Sequence, residues 1–99
     1  MKDAPYTVLC EFKSKPGAIR QMKDLSAGLL APSRAEDGCI DYYWYQSLED
    51  ASKFVLYMNW RDQAAFEAHV RSSHVRAAEK ALEELLSEPY SDSFWKSLG

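Results

Sequence analysis

The stretch KFVLYMNWRDQAAFEAHVRSSHVR, residues 53–76, predicts one strand followed by two short helices, and it contains both histidines of the chain. Large apolar side chains occupy alternate positions from Phe54 to Trp60, and Val55 and Tyr57 stand between them. A period of two with apolar groups on both sides is typical of a strand that is buried on both faces. This strand is therefore expected at the centre of a sheet.

The helical half of the stretch begins at a capping residue. Asp62 can accept hydrogen bonds from the free amides of a first helical turn, and Phe66 and His69 then share one face of that helix. The serines at 72–73 end this helix and offer a new cap, which places His74 in the first turn of the next helix. His69 is therefore expected to point inward beside Phe66.

The rest of the chain supplies further strands and helices around this stretch. Alternating side chains predict strands, helical stripes of apolar side chains predict helices, and prolines mark breaks. The expected elements are a strand at 6–13, a helix from Pro16 to about Leu30 that is distorted or restarted at Pro32, a strand at 39–47, a helix that ends before Pro89 and a strand within 90–98. This order indicates an α+β fold, a ferredoxin-like antiparallel sheet with helices on one face, in a single domain over residues 1–99.

Composition limits the class of partner. The chain has 12 basic and 15 acidic residues and a net charge of −3, without a cluster of either sign, so neither nucleic acid nor an anionic membrane is the expected partner. Neither a signal peptide nor a run of roughly 20 apolar residues is recognisable. We expect a cytoplasmic protein that binds a small neutral or weakly charged molecule.

Aromatic side chains on both faces of the sheet predict self-association. The run from Tyr42 to Tyr45 places large rings on each face, and one layer of helices covers only one of them. Leaving a large aromatic ring exposed to water loses about 1.5–3 kcal/mol of the stabilisation that burial would give. An exposed patch of several such rings is also unusual on a monomer. The sequence therefore predicts a homodimer packed sheet to sheet, a dimeric alpha-beta barrel, with a pocket on the helical side of each sheet.

Three groups of residues together form a pattern found in a known family. They are Pro16-Gly17 at the start of a helix, Glu36, Gly38 and Cys39 before an aromatic strand, and Trp60 followed by Phe66, His69 and His74. Between Tyr6 and about Leu86 the chain resembles the antibiotic biosynthesis monooxygenase superfamily, and in particular its small quinol monooxygenase branch. The resemblance implies a dimeric enzyme that uses neither metal nor organic cofactor and oxidises a small quinol or phenolic aromatic with dioxygen.

The implied reaction needs a base, aromatic walls and a group that holds a substrate oxygen. A quinol that loses a proton gives an electron to dioxygen more readily, so the protein must deprotonate it, orient it and exclude water. The candidates are His69, His74, Trp60 and Asn59 for catalysis, and Tyr43, Tyr57 and Phe66 for contacts with the aromatic substrate. Asn59 and Trp60 lie on opposite faces of their strand, so they line one pocket only if a bulge intervenes.

The two histidines are expected to differ in protonation. His69 lies near the end of a helix, where the helix dipole favours the cation, whereas His74 in a first turn is biased toward the neutral form. As a hypothesis, His74 is the resting base and His69 is the proton donor or oxyanion partner. A core role for His69 and a capping role for His74 also fit the pattern.

Other functions of related proteins remain open. The histidine spacing also resembles a branch that isomerises a small phosphorylated signalling metabolite, and Arg71 and Arg76 are near enough to keep that alternative. A non-catalytic small-molecule-binding dimer is a further alternative. Leu56 stands where the branch acting on polycyclic anthrones has Asn, and Glu79 stands where the haem-degrading branch has an iron-ligating His, so both of those activities are disfavoured.

Overall fold

The computed structural model describes residues 4–99 and contains four strands and three α-helices in that range. In chain order these are β1 (Tyr6–Lys13), α1 (Ile19–Arg34, preceded by a 3₁₀ turn at Pro16–Ala18), β2 (Cys39–Gln46), β3 (Lys53–Trp60), α2 (Gln63–Val70), α3 (Ser73–Leu85) and β4 (Ser91–Lys96). Both β1 and β3 match the predicted bounds. None of the helices in residues 4–99 combines the length and the apolar character needed to cross a bilayer.

The strands form one antiparallel sheet in the order β2-β3-β1-β4. Trp60 lies opposite Tyr6 at one end of the central pair, and Lys53 lies opposite Lys13 at the other. The predicted α+β ferredoxin-like fold is confirmed.

The core lies between the helices and one face of the sheet. The even-numbered positions of β1 and β3 point to that side, where Val8, Met58 and Trp60 are almost inaccessible to solvent. Met22 of α1 and Leu82 of α3 close this layer from above. A helical stripe packed on a period-two strand face is what the sequence patterns predict.

Helix α1 differs from the expectation at its end. It continues through Pro32 to Arg34 rather than being interrupted. Pro32 lies in the last turn, so its missing amide hydrogen removes one helical bond and disturbs no later turn. The Arg34 guanidinium then donates two hydrogen bonds, of 3.0 and 2.8 Å, to the carbonyl of Tyr42, which fixes the end of α1 to β2.

The second face of the sheet is open within residues 4–99. Tyr43, Tyr45 and Trp95 point to this side and are 46%, 56% and 59% exposed. Aromatic side chains on this face agree with the pattern that predicted self-association.

Candidate active site

The side chain of Glu36 lies between the two histidines. Its Oε2 is 2.5 Å from Nδ1 of His69 and 2.9 Å from Nε2 of His74. These contacts connect residues that are 33 and 38 positions apart in the sequence. One carboxylate oxygen of Glu36 therefore contacts both imidazole rings.

A tight turn between α1 and β2 brings Glu36 to this position. Gly38 has φ +87°, which residues with a side chain rarely adopt, and its carbonyl accepts a 2.7 Å hydrogen bond from the amide of Arg61. A Cβ atom at Gly38 would lie 2.7 Å from Cβ of Ala65. The absence of a side chain therefore lets the turn pack directly on α2, the helix that carries His69.

Capping residues position both histidines, as predicted. The Asp62 side chain accepts a 2.8 Å bond from the amide of Ala65 and begins α2. The Ser72 hydroxyl donates to the carbonyl of His69 at 2.6 Å and accepts from the first turn of α3. His69 thus ends one helix while His74 begins the next, and their ring centroids are 5.9 Å apart.

Aromatic rings enclose His69, which is only 3% exposed. Its ring centroid lies 4.6 Å from that of Trp60, 5.7 Å from that of Tyr42 and 6.4 Å from that of Phe66. This burial lowers the pKa of His69, against the opposing effect of Glu36, and the neighbouring His74 lowers it further. The lowered pKa of His69 contradicts the expectation that this residue is favoured as the cation, because desolvation by burial is the largest influence on it.

The two nitrogens of His69 have different surroundings. Nδ1 faces the Glu36 carboxylate, which only accepts hydrogen bonds, so in neutral His69 this nitrogen carries the hydrogen. Nε2 has no hydrogen-bond partner among residues 4–99, and it is not among the fully enclosed polar atoms of that range. Neutral His69 therefore offers a free lone pair at Nε2.

His69 forms part of the wall of a cavity between the helices and the sheet. The cavity has a volume of about 190 Å³. Most of its wall is aromatic or aliphatic, with a few polar groups. The lining residues include Phe12, Leu29, Tyr42, Trp44, Leu56, Met58, Phe66, Val70, Val75 and Leu82, together with Cys10, Glu79, Tyr90 and Asp92. An apolar hollow with few polar groups is the usual form of a small-molecule site.

Of the predicted substrate-contacting residues, only Phe66 lines this cavity. Tyr43 and Tyr57 face each other on the open side of the sheet, because odd-numbered positions of β2 and β3 point away from the helices. Trp60 lies behind His69 and supports its ring without lining the cavity. The structure therefore places His69 and Phe66 together and keeps the two tyrosines apart from them.

Asn59 also lies on the open side of the sheet. Its Nδ2 donates to Asp41 at 2.9 Å and to the Tyr57 hydroxyl at 2.6 Å, and its Oδ1 accepts from Thr7. The irregular pairing of β2 lies between Cys39 and Asp41 and does not turn Asn59 toward the helices. These bonds occupy the amide, so Asn59 holds adjacent strands together.

Glu36, His69 and His74 are also the residues that could ligate a metal, since their donor atoms lie within 4.8 Å of one another. A metal would need all three donors about 2.0–2.2 Å from one common point. Here Oε2 itself occupies the space between the two nitrogens. The arrangement fits shared hydrogen bonds, and the carboxylate would have to move for an ion to enter.

Sequence reasoning did not assign roles to Glu36, Tyr42 or Glu79. Glu36 was part of the motif before β2, but no local spacing connects it to the histidines. Tyr42 was predictable as a ring on the helical face from the alternation of β2. The place of Glu79 follows only from the packing of α3 over the sheet.

Comparison with known proteins places these features in a family. The family model described as antibiotic biosynthesis monooxygenase matches residues 5–81. Rv0793 of Mycobacterium tuberculosis, which is provisionally named a monooxygenase, is 33% identical over 87% of this chain and 84% of its own length. The Synechocystis protein sll1783 is 29% identical over 95% of this chain, which spans 64% of that protein.

Solved structures give the same result. The crystal structure of PA3566 from Pseudomonas aeruginosa has a TM-score of 0.93 at 29% identity and covers 100% of this chain and 99% of its own. Together with the family match, this likeness confirms the relationship that the sequence pattern predicted. The chain belongs to the antibiotic biosynthesis monooxygenase family.

Proposed function

We propose that this protein is a monooxygenase that oxidises a small neutral quinol, or a similarly electron-rich phenol, with dioxygen. The observation that carries the proposal is that His69 lines an aromatic cavity, while its Nδ1 is held by Glu36 and its Nε2 has no hydrogen-bond partner among residues 4–99. A base with a fixed tautomer in the wall of a mostly apolar cavity is suited to removing a proton from a hydroxyl.

In this mechanism His69 is the base. Nε2 accepts the hydroxyl proton of the substrate, and the Glu36 carboxylate stabilises the imidazolium that forms. His74 binds the same carboxylate oxygen from the other side and keeps it in place. The roles of the two histidines are thus the reverse of the initial hypothesis.

The proton transfer prepares the ring for oxidation. A hydroquinone and dioxygen have the atoms of a hydroxyquinone and one water, so one oxygen atom enters the ring and the other leaves as water. Electrons pass from the deprotonated ring to dioxygen, and the proton held at Nε2 is returned to the reduced oxygen. The rings of Phe66 and Trp44 are suited to hold a flat substrate.

The volume of the cavity limits the substrate. A cavity of roughly 150 Å³ accommodates a benzene molecule in another protein, so about 190 Å³ suits one substituted ring or a compact bicyclic ring. A polycyclic anthrone would not fit without rearrangement. This agrees with Leu56 in place of the Asn of that branch.

A phosphorylated substrate is the second candidate, but the charges of the residues that line the cavity do not favour it. In the described part of the chain the cavity wall contains two carboxylates, Glu79 and Asp92, and no lysine or arginine. Arg71 and Arg76 are exposed and do not line it. A phosphate group would meet like charge without a cationic partner.

The proposal includes a homodimer. The open aromatic face of the sheet would pack against the same face of a second copy, as in a dimeric alpha-beta barrel. Each copy then keeps its own cavity, because the walls described above come from one chain.

The test is oxygen uptake with a panel of quinols, phenols and sugar phosphates, run with and without air. We expect uptake only with quinols or phenols, loss of most of it in His69→Gln, and normal rates in Glu83→Gln, an exposed position on α3 outside the cavity. Labelled dioxygen should place one label in the organic product. Substrate conversion without air would support the isomerase instead, and release of hydrogen peroxide with unlabelled product would indicate an oxidase.

A further inference from the structure

The cavity has an acidic part separate from the histidine. Tyr90 donates a 3.0 Å hydrogen bond to Oε2 of Glu79, and its ring is stacked 4.9 Å from that of Phe12. Asp92 pairs with Cys10 across β1 and β4, and both line the cavity. We refer to Glu79, Tyr90 and Asp92 as the acidic end.

The strand register shows that the acidic end is displaced from His69 along the sheet. Residues that lie side by side across the strands form a row, and we name each row by its β1 residue. The imidazole packs on Trp60, in the row of residue 6, and on Tyr42, in the row of residue 8. The acidic end occupies the rows of residues 10 and 12. The two pairs of rows are centred four residues apart, or about 13 Å along the sheet. A hydroquinone with a hydrogen bond of about 2.8 Å at each of its two hydroxyls spans a gap of this order.

The two carboxylates are still able to accept hydrogen bonds. An ionised carboxyl group has about four acceptor positions, and the one contact from the side chain of Tyr90 uses only one of those on Glu79. Burial and the Glu79 contact raise the pKa of Tyr90, so its hydroxyl remains a donor that points at the carboxylate. Burial and the neighbouring Asp92 likewise raise the pKa of Cys10, which keeps that thiol neutral.

We propose that the acidic end selects a neutral ligand that carries a second hydrogen-bond donor, a 1,4-diol of an aromatic ring, and rejects anionic ligands of the same size. One hydroxyl meets Nε2 of His69 and the other donates to Glu79, with Asp92 adding negative potential. This inference rests on the proposed function for the identity of the reactive hydroxyl, and it assigns specificity to residues outside the Glu36–histidine group.

The test measures binding without oxygen, so it does not depend on turnover. Calorimetric titrations would compare hydroquinone with 4-methoxyphenol, which lacks one donor, and with 2,5-dihydroxybenzoate, which adds a carboxylate. For the wild-type chain we expect hydroquinone to bind at least about 10-fold more tightly than either, since a charged acceptor strengthens a hydrogen bond. Equal affinities, or no binding of hydroquinone, would overturn the proposal.

Variants identify the residues responsible. Glu79→Met removes the acceptor and should bring hydroquinone and 4-methoxyphenol to within about 2-fold of each other, whereas Glu83→Gln, one turn further on the exposed side of α3, should retain the preference. Asp92→Asn should strengthen binding of 2,5-dihydroxybenzoate several-fold. If Glu79→Met keeps the full preference, Glu79 is not the determinant.

A further variant keeps the proposal testable if Glu79→Met fails to fold. Tyr90→Phe removes the hydroxyl that occupies Glu79 but leaves the ring on Phe12. It should keep or increase the preference for hydroquinone, and loss of the preference would assign recognition to Tyr90 and overturn the role of the carboxylate. Normal selective binding without oxygen uptake would contradict the proposed oxidation while leaving this inference intact.

Discussion

Glu36 contacts His69 across a 33-residue separation, and their Oε2 and Nδ1 atoms lie 2.5 Å apart. The contact does two things at once. It fixes which imidazole nitrogen carries the hydrogen, and it provides a negative charge beside the cation that would form after proton transfer. The His69 ring also packs against Trp60 and Phe66, which restricts its orientation further.

Glu36→Gln should therefore lower turnover more than substrate affinity. An amide can either donate to Nδ1 or accept from it, so the tautomer is no longer fixed and the imidazolium loses its counter-charge. A fall of about 10- to 100-fold in kcat is expected from the loss of such an orienting partner, with a much smaller change in KM. Steady-state oxygen uptake measures both parameters.

The matched control for that change is Glu67→Gln. Glu67 is exposed on α2, and its side chain accepts a hydrogen bond from Gln63 within the same helix. Its replacement should leave kcat within about 2-fold, in keeping with the small effect of most surface changes. Equal rates in wild type and Glu36→Gln would remove the carboxylate from the mechanism.

Stability should decrease as the pH falls below about 6.5. The pKa of His69 is lowered in the folded chain from its ordinary value of 6.5. Between the unfolded value and the lower folded value the unfolded state binds more protons, so the free energy of unfolding rises with pH in this window and falls on acidification. Urea titrations at pH 7.5, 6.5 and 5.5 measure this dependence.

The same titrations in His69→Gln isolate the histidine. The variant lacks the titrating group, so its stability should depend less on pH between 6.5 and 5.5 even if its absolute stability is lower. A wild-type chain that becomes more stable on acidification through this window would show that Glu36 outweighs burial in setting the pKa of His69.

Local sequence rules were sufficient for most of the fold. Alternation over Tyr6–Lys13 and Lys53–Trp60 gave both central strands, and Asp62 and Ser72 gave the starts of α2 and α3. These signals work because each depends on residues within one or two turns of one another. The continuation of α1 through Pro32 was not predicted, because the free-energy cost of a proline depends on how many helical residues follow it.

The geometry of the site could not be predicted from local sequence rules, because it depends on contacts between residues far apart in the chain. His69 was placed correctly on the buried face of α2, but its partner Glu36 comes from a turn beyond α1. The protonation of His69 was mispredicted because helix position is visible in a sequence, whereas the desolvation caused by Trp60 and Tyr42 is not. The strand period did separate Asn59 from Trp60, and the structure has them on opposite faces.

Gly38→Ala should destabilise the chain and impair the site together. The backbone at Gly38 has φ +87°, and an added Cβ would lie 2.7 Å from Cβ of Ala65. Strain in this region and the contact should lower the free energy of unfolding by about 1–3 kcal/mol. The turn that carries Glu36 would also move away from α2, so oxygen uptake should fall.

Gly28→Ala is the matched control for Gly38. Gly28 lies inside α1 with no other atom within 4 Å of a Cβ placed there. Alanine should raise the free energy of unfolding by about 0.5–1 kcal/mol, because glycine is the poorer helix former. If both alanine variants shift the thermal midpoint in the same direction, the close approach of Gly38 to α2 does not constrain the turn.

The exposed aromatic side chains on the open face of the sheet lead to the last prediction, that the chain is a dimer in solution. Burying a large ring there contributes about 1.5–3 kcal/mol, and a two-fold interface buries each ring twice. Tyr45→Lys combined with Trp95→Lys should therefore convert a dimer into a monomer in sedimentation velocity, whereas Leu48→Lys, fully exposed in the turn between β2 and β3, should not. A wild-type monomer at micromolar concentration would contradict the dimer, but the cavity would stand, because one chain supplies the walls described here and the His69 base.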